Sequence, residues 1–252
     1  MGHFPSWSGL LLRPLIVLLL MCSGGAAELE LASFNVWFDN ASGRDGRYGS
    51  VLKDIKELNA DLIALQEVTP FFYDQLVVFC KDNGLKIFGE IHGRYGNVTL
   101  AKTPIVKTRV IQLTSGMGRV ALVTTIKRGD ADVDVINVHL DSMLDDTEKR
   151  MVQLREIEKE TKTAQFIILG DFNFGDKDKE VALLEKYTDH GKEKQEFTYD
   201  VIQNRYAANT KFDNEPSRRI DRILLSAGLS GKEFTRHLKI SSDHYPISLI
   251  LK

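Results

Sequence analysis

The sequence predicts an α+β fold in which β-sheets pack face to face and helices lie outside them. Two observations carry this. Apolar runs of strand length recur from residue 29 to residue 251, and three stretches between them have helical periodicity. In the middle, residues 85–140 hold five apolar runs separated only by short polar turns, which leaves no room for helices and reads as a strand meander.

Composition bounds the rest. The chain has 252 residues, of which 43% are hydrophobic and 27% charged, enough for a sizeable core and unlike a disordered chain. A net charge of -2 excludes the global basic field that drives non-specific nucleic-acid binding. A polyanionic substrate then needs a local cationic patch or a metal.

The first residues stand apart. Leu10 to Met21 is an apolar run broken only by Arg13 and Pro14, followed by the small residues Gly24, Gly25, Ala26 and Ala27. The spacing predicts a secretory signal peptide over residues 1–27, hence an exported protein, with an uncleaved membrane anchor as the alternative. The domain is then residues 28–252, with 32 basic and 35 acidic residues once Arg13 is removed. It keeps one cysteine, Cys80, and so has no internal disulfide. Asn40-Ala41-Ser42 and Asn97-Val98-Thr99 match glycosylation sequons.

Residues 28–34 alternate as a strand that ends at Asn35. After a loop over residues 39–47, Tyr48, Val51, Leu52, Ile55 and Leu58 recur at helical spacing. Residues 61–65 form a short strand ending in Gln66-Glu67. Pro70 starts a second helix that Asn83-Gly84 stops. The meander follows: residues 85–91, 97–102, 105–113, 119–126 and 133–140. Residues 145–161 return to helix, with Met151, Leu154 and Ile157 facing in. Residues 176–216 read as mixed and loop-rich, and two strands over 220–226 and 245–251 close the chain.

The organising stretch is Phe166-Ile167-Ile168-Leu169-Gly170-Asp171-Phe172-Asn173, a buried strand that releases a carboxylate and an amide two positions apart. In extended chain they share a side; in a turn, which Gly, Asp and Asn also favour, they do not. Polar residues sit at other strand ends as well. Asn35, Glu67 and His139 follow strands; Asp221, Asp243 and His244 precede them. If the last two strands run antiparallel to the others, all of these meet at one rim. Oxygen donors in such number suit Mg²⁺ or Mn²⁺ better than zinc, and histidines beside them suit phosphoester hydrolysis.

The blocks Phe34-Asn35-Val36-Trp37, Leu65-Gln66-Glu67-Val68, Asn137-Val138-His139-Leu140, Gly170-Asp171-Phe172-Asn173, Arg219-Ile220-Asp221-Arg222 and Ser242-Asp243-His244 resemble, in order, the six signature blocks of the endonuclease/exonuclease/phosphatase superfamily, which is deoxyribonuclease I-like. Within it, His139-Leu140-Asp141-Ser142, the Arg150-Met151 and Gln153-Leu154 pairs, and Phe197-Thr198-Tyr199-Asp200 with Asn204 resemble the tyrosyl-DNA phosphodiesterase 2 branch.

The resemblance implies a four-layered α/β sandwich of two mostly antiparallel sheets flanked by helices. It implies a Mg²⁺ held by Glu67 with Asn35 and Asp243, and an Asp171 that orients or deprotonates the attacking water. It also implies that Asn173 and His139 contact the phosphate and that Asp221 orients His244. Water would attack a phosphodiester in line, with no covalent enzyme intermediate, on DNA ends including 5′-tyrosyl ends. Arg94 and Tyr95, in a meander turn, could touch a nucleic-acid strand by charge and stacking. So could one of the arginines around Asp221, with Arg219 as the candidate, and Trp37 adjoins Asn35. Phe197 and Tyr199 are expected to pack their loop. No protein partner is expected, and the chain is expected to act as a monomer. Two other readings compete: an exported nuclease or sphingomyelinase-like phospholipase, and a non-catalytic binding module on the same fold.

Overall fold

The computed structural model describes residues 1–2, 27–38, 44–91, 93–209 and 215–252. Most of the expected signal peptide and the Asn40 sequon lie outside the described residues. Among those described, no helix is long and apolar enough to cross a membrane.

Strand β1 (Leu29–Asn35), helix α1 (Arg44–Leu58) and strand β2 (Leu62–Val68) form a βαβ unit with β1 and β2 parallel. Helix α2 (Pro70–Asp82) follows. Thr69 caps it, its hydroxyl accepting from Phe72 N at 3.2 Å, with Pro70 at the first position and Gly84 in left-handed backbone (φ 68) just past the end. Then come β3 (Lys86–Phe88), β4 (Gly96–Ala101), β5 (Ile105–Gln112), β6 (Val120–Arg128) and β7 (Ala131–His139). Helix α3 (Thr147–Glu160) links β7 to its parallel neighbour β8 (Gln165–Asp171). The region predicted as loop holds a 3₁₀ turn at Lys179–Leu184, the two-residue β9 (Thr188–Asp189) and the short α4 (Arg205–Ala208). Strands β10 (Asp221–Leu225), β11 (Gly231–Arg236) and β12 (Ile247–Leu251) end the chain.

The strands form two six-stranded sheets, β11-β12-β1-β2-β4-β3 and β5-β6-β7-β8-β10-β9. Each has one parallel pair at its centre, bridged by a helix, and is otherwise antiparallel. The expected single meander is therefore two pieces: β3 and β4 join the first sheet, and β5 to β7 build the second.

Alternation along the strands sorts the core into layers. Leu31, Leu62, Leu169, Ile223 and Leu249 meet between the sheets. Ala32, Phe34, Ile63 and Leu65 point the other way, onto Tyr48, Val51 and Ile55 of α1 and Phe72 and Leu76 of α2. Ile136, Val138 and Ile168 face Leu154 and Ile157 of α3. This is the four-layered sandwich. It explains the unbroken apolar runs, since central strands are covered on both faces.

Candidate active site

The inner rows of three neighbouring strands end in polar residues at one rim. In β7 the inward row Val133, Val135, Asn137 ends in His139; in β8 the row Ile167, Leu169 ends in Asp171; in β10, which runs the other way, the row beginning at Leu225 and Ile223 ends in Asp221. Register sets them side by side: His139 pairs with Asp171 across β7–β8, and Asp221 pairs with Asp171 across β8–β10. Gly170 permits the close parallel pairing, because a Cβ there would lie 2.0 Å from Val138 O. Strand β12 is antiparallel to β1, so Asp243 and His244 arrive at the same rim as Asn35. Both antiparallel conditions set by the sequence are met.

The first sheet contributes differently. Asn35 ends the inward row Leu31, Ser33 of β1. Glu67 sits one residue past the inward Gln66, on the wrong parity. Its backbone is left-handed (φ 60) and the β2–β4 register shifts between Leu65 and Val68, and this irregularity turns the carboxylate into the site. Trp37 (φ 58) and Asn173 (φ 57) are left-handed too. Three such non-glycine residues at one rim are local strain concentrated where the function lies.

The contacts are dense. Asn35 Nδ2 donates to Glu67 Oε1 (3.2 Å) and Asp171 Oδ2 (2.9 Å). His244 Nδ1 is 2.8 Å from Asp221 Oδ2, and His244 Nε2 is 3.8 Å from Asp171 Oδ2. His139 Nε2 lies 3.6 Å from Glu67 Oε1 and 3.5 Å from Asp171 Oδ2. After Asp171 the chain turns: Asn173 N donates to Asp171 Oδ1 (2.9 Å), and Asn173 Nδ2 to Leu140 O (3.0 Å). Of the two conformations open to this dipeptide, the turn is the one adopted, and it still leaves Asn173 lining the cleft.

Charge crowding shows in the titrating groups. Burial pushes Asp171 up to about 7; His244 and the Asn35 amide pull it back, while the Asp221 and Glu67 carboxylates push it further. Burial does the same to Asp243, also to about 7, with Glu67 and Asp171 adding to it against His244 and the Ser242 hydroxyl. For His244, burial opposes the charge, but Asp221, Asp171 and Asp243 outweigh it and raise the imidazole well above its ordinary value. His139 goes the other way, lowered well below the ordinary histidine value by burial, by Arg119 and by His244.

Arg119, which the sequence reading missed, explains His139. Arg119 Nη1 is 3.0 Å from His139 Nδ1. A guanidinium only donates, so Nδ1 must accept and the ring hydrogen sits on Nε2, between the Glu67 and Asp171 carboxylates. The signal for Arg119 is its place just before β6, the strand that pairs antiparallel with β7 and so brings Arg119 beside the His139 end of it. Thr198 and Ser242 were missed likewise. Thr198 Oγ1 accepts from Asp221 N (3.0 Å), and Ser242 Oγ donates to Asn35 O (2.7 Å).

The donors fit a hard cation. Glu67 and Asp243 bring carboxylate oxygens and Asn35 an amide oxygen, the oxygen-donor set that a hard cation takes. The tightest grouping of donor atoms, Asp171, Asp221 and His244 within 4.8 Å, is accounted for by the Asp221–His244 hydrogen bond.

The cleft above the rim has a volume of about 630 Å³. Arg94 and Tyr95 both line it: Arg94 stacks on Phe38 (5.4 Å), Phe38 on Tyr95 (4.6 Å), and Arg119 on Tyr95 (5.2 Å). Arg219 does not. It precedes Ile220, is 2 % exposed, and pairs with Asp176 (2.6 Å) and Asp189 (2.7 Å) beside Arg222. Contrary to the sequence expectation, it is not placed to bind substrate, because Asp176 and Asp189 already pair with it behind the sheet. Asp221, flanked by these arginines in sequence, faces the opposite way. Tyr199 is buried against His244, but Phe197 is exposed rather than packed. The Asn97 sequon is closed: its amide is 8 % exposed and donates to Val120 O and Asn137 O between the sheets.

The model of the Endonuclease/Exonuclease/phosphatase family matches residues 32–244. Among solved structures, the chain is similar to TDP2 from D. rerio complexed with single-strand DNA product, with a TM-score of 0.76 at 21% identity over 90% of this chain and 99% of that one. It is also similar to TDP2 from Caenorhabditis elegans (TM-score 0.70, 26% identity, 89% of this chain and 74% of that). A conserved protein of unknown function from Enterococcus faecalis aligns at TM-score 0.71 and 21% identity over 89% and 99%. No curated protein matches by sequence. The chain belongs to the Endonuclease/Exonuclease/phosphatase family, whose members are metal-dependent hydrolases.

Proposed function

We propose that the protein is an exported, Mg²⁺-dependent phosphodiesterase that hydrolyses phosphodiester bonds at nucleic-acid ends, 5′-tyrosyl-DNA among them, by in-line attack of water. The observation that carries this reading is the arrangement around Asp171. Its carboxylate, held near neutrality, lies within 4 Å of both His139 Nε2 and His244 Nε2. Export rests on the N-terminal apolar run, and nucleic acid on the likeness to TDP2 together with Arg94 and Tyr95 in the cleft.

Asp171 takes a proton from water as the water oxygen attacks phosphorus, its carboxylate lying within 4 Å of both histidine Nε2 atoms. Asn35 holds that carboxylate in place. His244, kept protonated by Asp221, donates Nε2–H to the oxygens of the five-coordinate phosphorus. His139, neutral with its hydrogen on Nε2, adds a second donor, and Asn173, held beside Asp171 and with one amide hydrogen on Leu140 O, adds a third. The P–O ester bond then breaks, its electron pair leaves with the departing oxygen, and that oxygen takes a proton from water. Glu67, Asp243 and Asn35 would hold the cation, which when bound neutralises charge on the phosphoryl oxygens.

The test is the purified chain in Mg²⁺ on 5′-tyrosyl DNA, plain single- and double-stranded DNA, and sphingomyelin. Release of tyrosine with a 5′-phosphate end, lost in chelator, is expected. Turnover of sphingomyelin alone would replace the nucleic-acid reading with the lipid one, and no turnover of any substrate would leave a binding module.

A further inference from the structure

Residues 35–38 form the turn by which the chain leaves β1, and its two sides do different things. The amides face the catalytic rim: Trp37 N donates to Asn35 Oδ1 (3.0 Å), and Phe38 N donates to Glu67 Oε2 (2.8 Å). This stretch of backbone therefore orients two of the residues that would hold the cation. The carbonyls are taken from helix α1. Arg47 donates from Nη1 to Val36 O (2.7 Å) and from Nη2 to Trp37 O (2.6 Å). Trp37 is left-handed (φ 58), which a bulky residue adopts only under constraint. The guanidinium fork supplies that constraint, because it holds the peptide groups on both sides of the Trp37 Cα.

The same guanidinium reaches the segment that carries Asp243 and His244. Arg47 Nη1 also donates to Ser241 O (3.2 Å), 194 positions away in the chain, and Asp54 of α1 accepts from Ser241 Oγ (2.5 Å). Ser242 then ties that segment back to β1 by donating from Oγ to Asn35 O (2.7 Å). Arg47 is 4 % exposed and lines no part of the cleft. Its guanidinium carbon lies 5.1 Å from the Trp37 ring centre and 4.9 Å from that of Tyr48. One buried planar group thus fixes three carbonyls from two segments, each of which presents cation ligands on its other side.

We propose that Arg47 is a positioning residue for the reaction. Through the backbone of Val36, Trp37 and Ser241 it sets the spacing between Asn35 and Glu67 on one side and Asp243 and His244 on the other, and with that spacing the affinity for the cation. The proposal rests on the phosphodiesterase reading above and asks nothing of Arg47 toward substrate.

Two variants test it. Arg47→Lys keeps the positive charge and an aliphatic stem but loses the planar fork that spans separate carbonyls. Arg47→Met loses the charge as well. Each is compared with wild type for Mg²⁺ binding by calorimetry, for the Mg²⁺-induced change in Tm, and for turnover of 5′-tyrosyl DNA across a Mg²⁺ series below the variant's own Tm. Arg47→Lys should weaken Mg²⁺ binding about tenfold and Arg47→Met further, the scale on which partners of metal ligands act. At the Mg²⁺ concentration that half-saturates wild type, kcat of Arg47→Lys should fall several-fold while KM for the DNA stays within about twofold, and excess Mg²⁺ should restore most of the lost rate. A purely structural residue would not give that recovery in a chain already folded. Mg²⁺ affinity within about twofold of wild type in both folded variants would overturn the proposal. So would an Arg47→Lys chain that no longer unfolds cooperatively, since Arg47 would then be a support of the fold. A wild type that binds Mg²⁺ but turns over no phosphodiester would end the phosphodiesterase reading, and calorimetry on the variants would still uphold or overturn the role of Arg47. A wild type that binds no Mg²⁺ would overturn both.

Discussion

His244 Nδ1 and Asp221 Oδ2 are 2.8 Å apart; Asp221 begins β10 of one sheet, and His244 lies in the segment that leads into β12 of the other. The bond therefore reports on the imidazole and on the seating of one sheet against the other. Asp221 is the strongest of the charges that hold His244 above its ordinary pKa. With the folded value raised, the imidazole stays protonated as pH climbs past about 6.5. Asp221→Asn keeps the shape and removes the charge, so the proton leaves at lower pH. Activity should fall more at pH ~8 than at pH ~6, and adding the mutation to His244→Ala should cost little more. Rate against pH for both single variants and the double variant checks this. A flat wild-type to Asp221→Asn ratio with additive losses would remove Asp221 from the active site.

Glu67 is the residue whose charge a bound cation would answer most directly, and in the cation's absence it raises both Asp171 and Asp243. Glu67→Gln should lower the rate at least ~10²-fold. Mg²⁺ should raise the Tm of wild type, and the variant should lose that rise. In chelator the variant should melt no lower than wild type, because a like charge has gone from a crowded site. A retained Mg²⁺ shift in Glu67→Gln would exclude Glu67 as a ligand.

Beneath the rim, Gln66 Nε2 donates to Asn137 Oδ1 (2.8 Å) across the sheet interface, and Asn137 Nδ2 donates to Leu65 O (3.1 Å) and Val98 O (3.0 Å). Asn137→Ala removes these three bonds and leaves Gln66 Nε2 only its longer bonds to Ser33 Oγ and Ala64 O, both 3.3 Å, at a cost of about 2–4 kcal/mol. Because those bonds align the two halves of the site, activity at a temperature where the variant is fully folded should fall as well. Urea unfolding with a parallel rate measurement checks both, and a loss under 0.5 kcal/mol, on the order of a surface change, would mark the network as incidental.

The N-terminal segment yields a separate expectation. The first strand begins at Leu29, so cleavage after Ala27 spares the domain. N-terminal sequencing of protein exported from a host cell should begin near Glu28. A cytosolic product that keeps Met1 would refute export.

Much of the fold was readable because burial on both faces writes itself as long apolar runs, and helices α1, α2 and α3 carry their own periodicity. Strand β11 was not readable. It is a polar edge strand in which Phe234 alone is buried, with Glu233 in left-handed backbone and a register shift. The meander was misassigned for a related reason. An apolar run carries no mark of which neighbour its strand pairs with, so the crossing from β4 to β5 between the sheets is invisible in residues 102–105.

At the site, the sequence by itself determined which polar residues end the strands, because period two carries an inward row directly from Leu169 to Asp171 and from Asn137 to His139. Tertiary structure alone decided what alternation cannot express. Glu67 stands on the wrong parity and enters the site through a left-handed residue at a register shift. Arg219 is drawn off by Asp176 and Asp189, more than 25 positions away. Arg119 reaches His139 only because β6 and β7 are neighbours in the sheet. Each depends on a long-range pairing whose free energy is settled by packing between distant segments, and no local pattern in the chain records it.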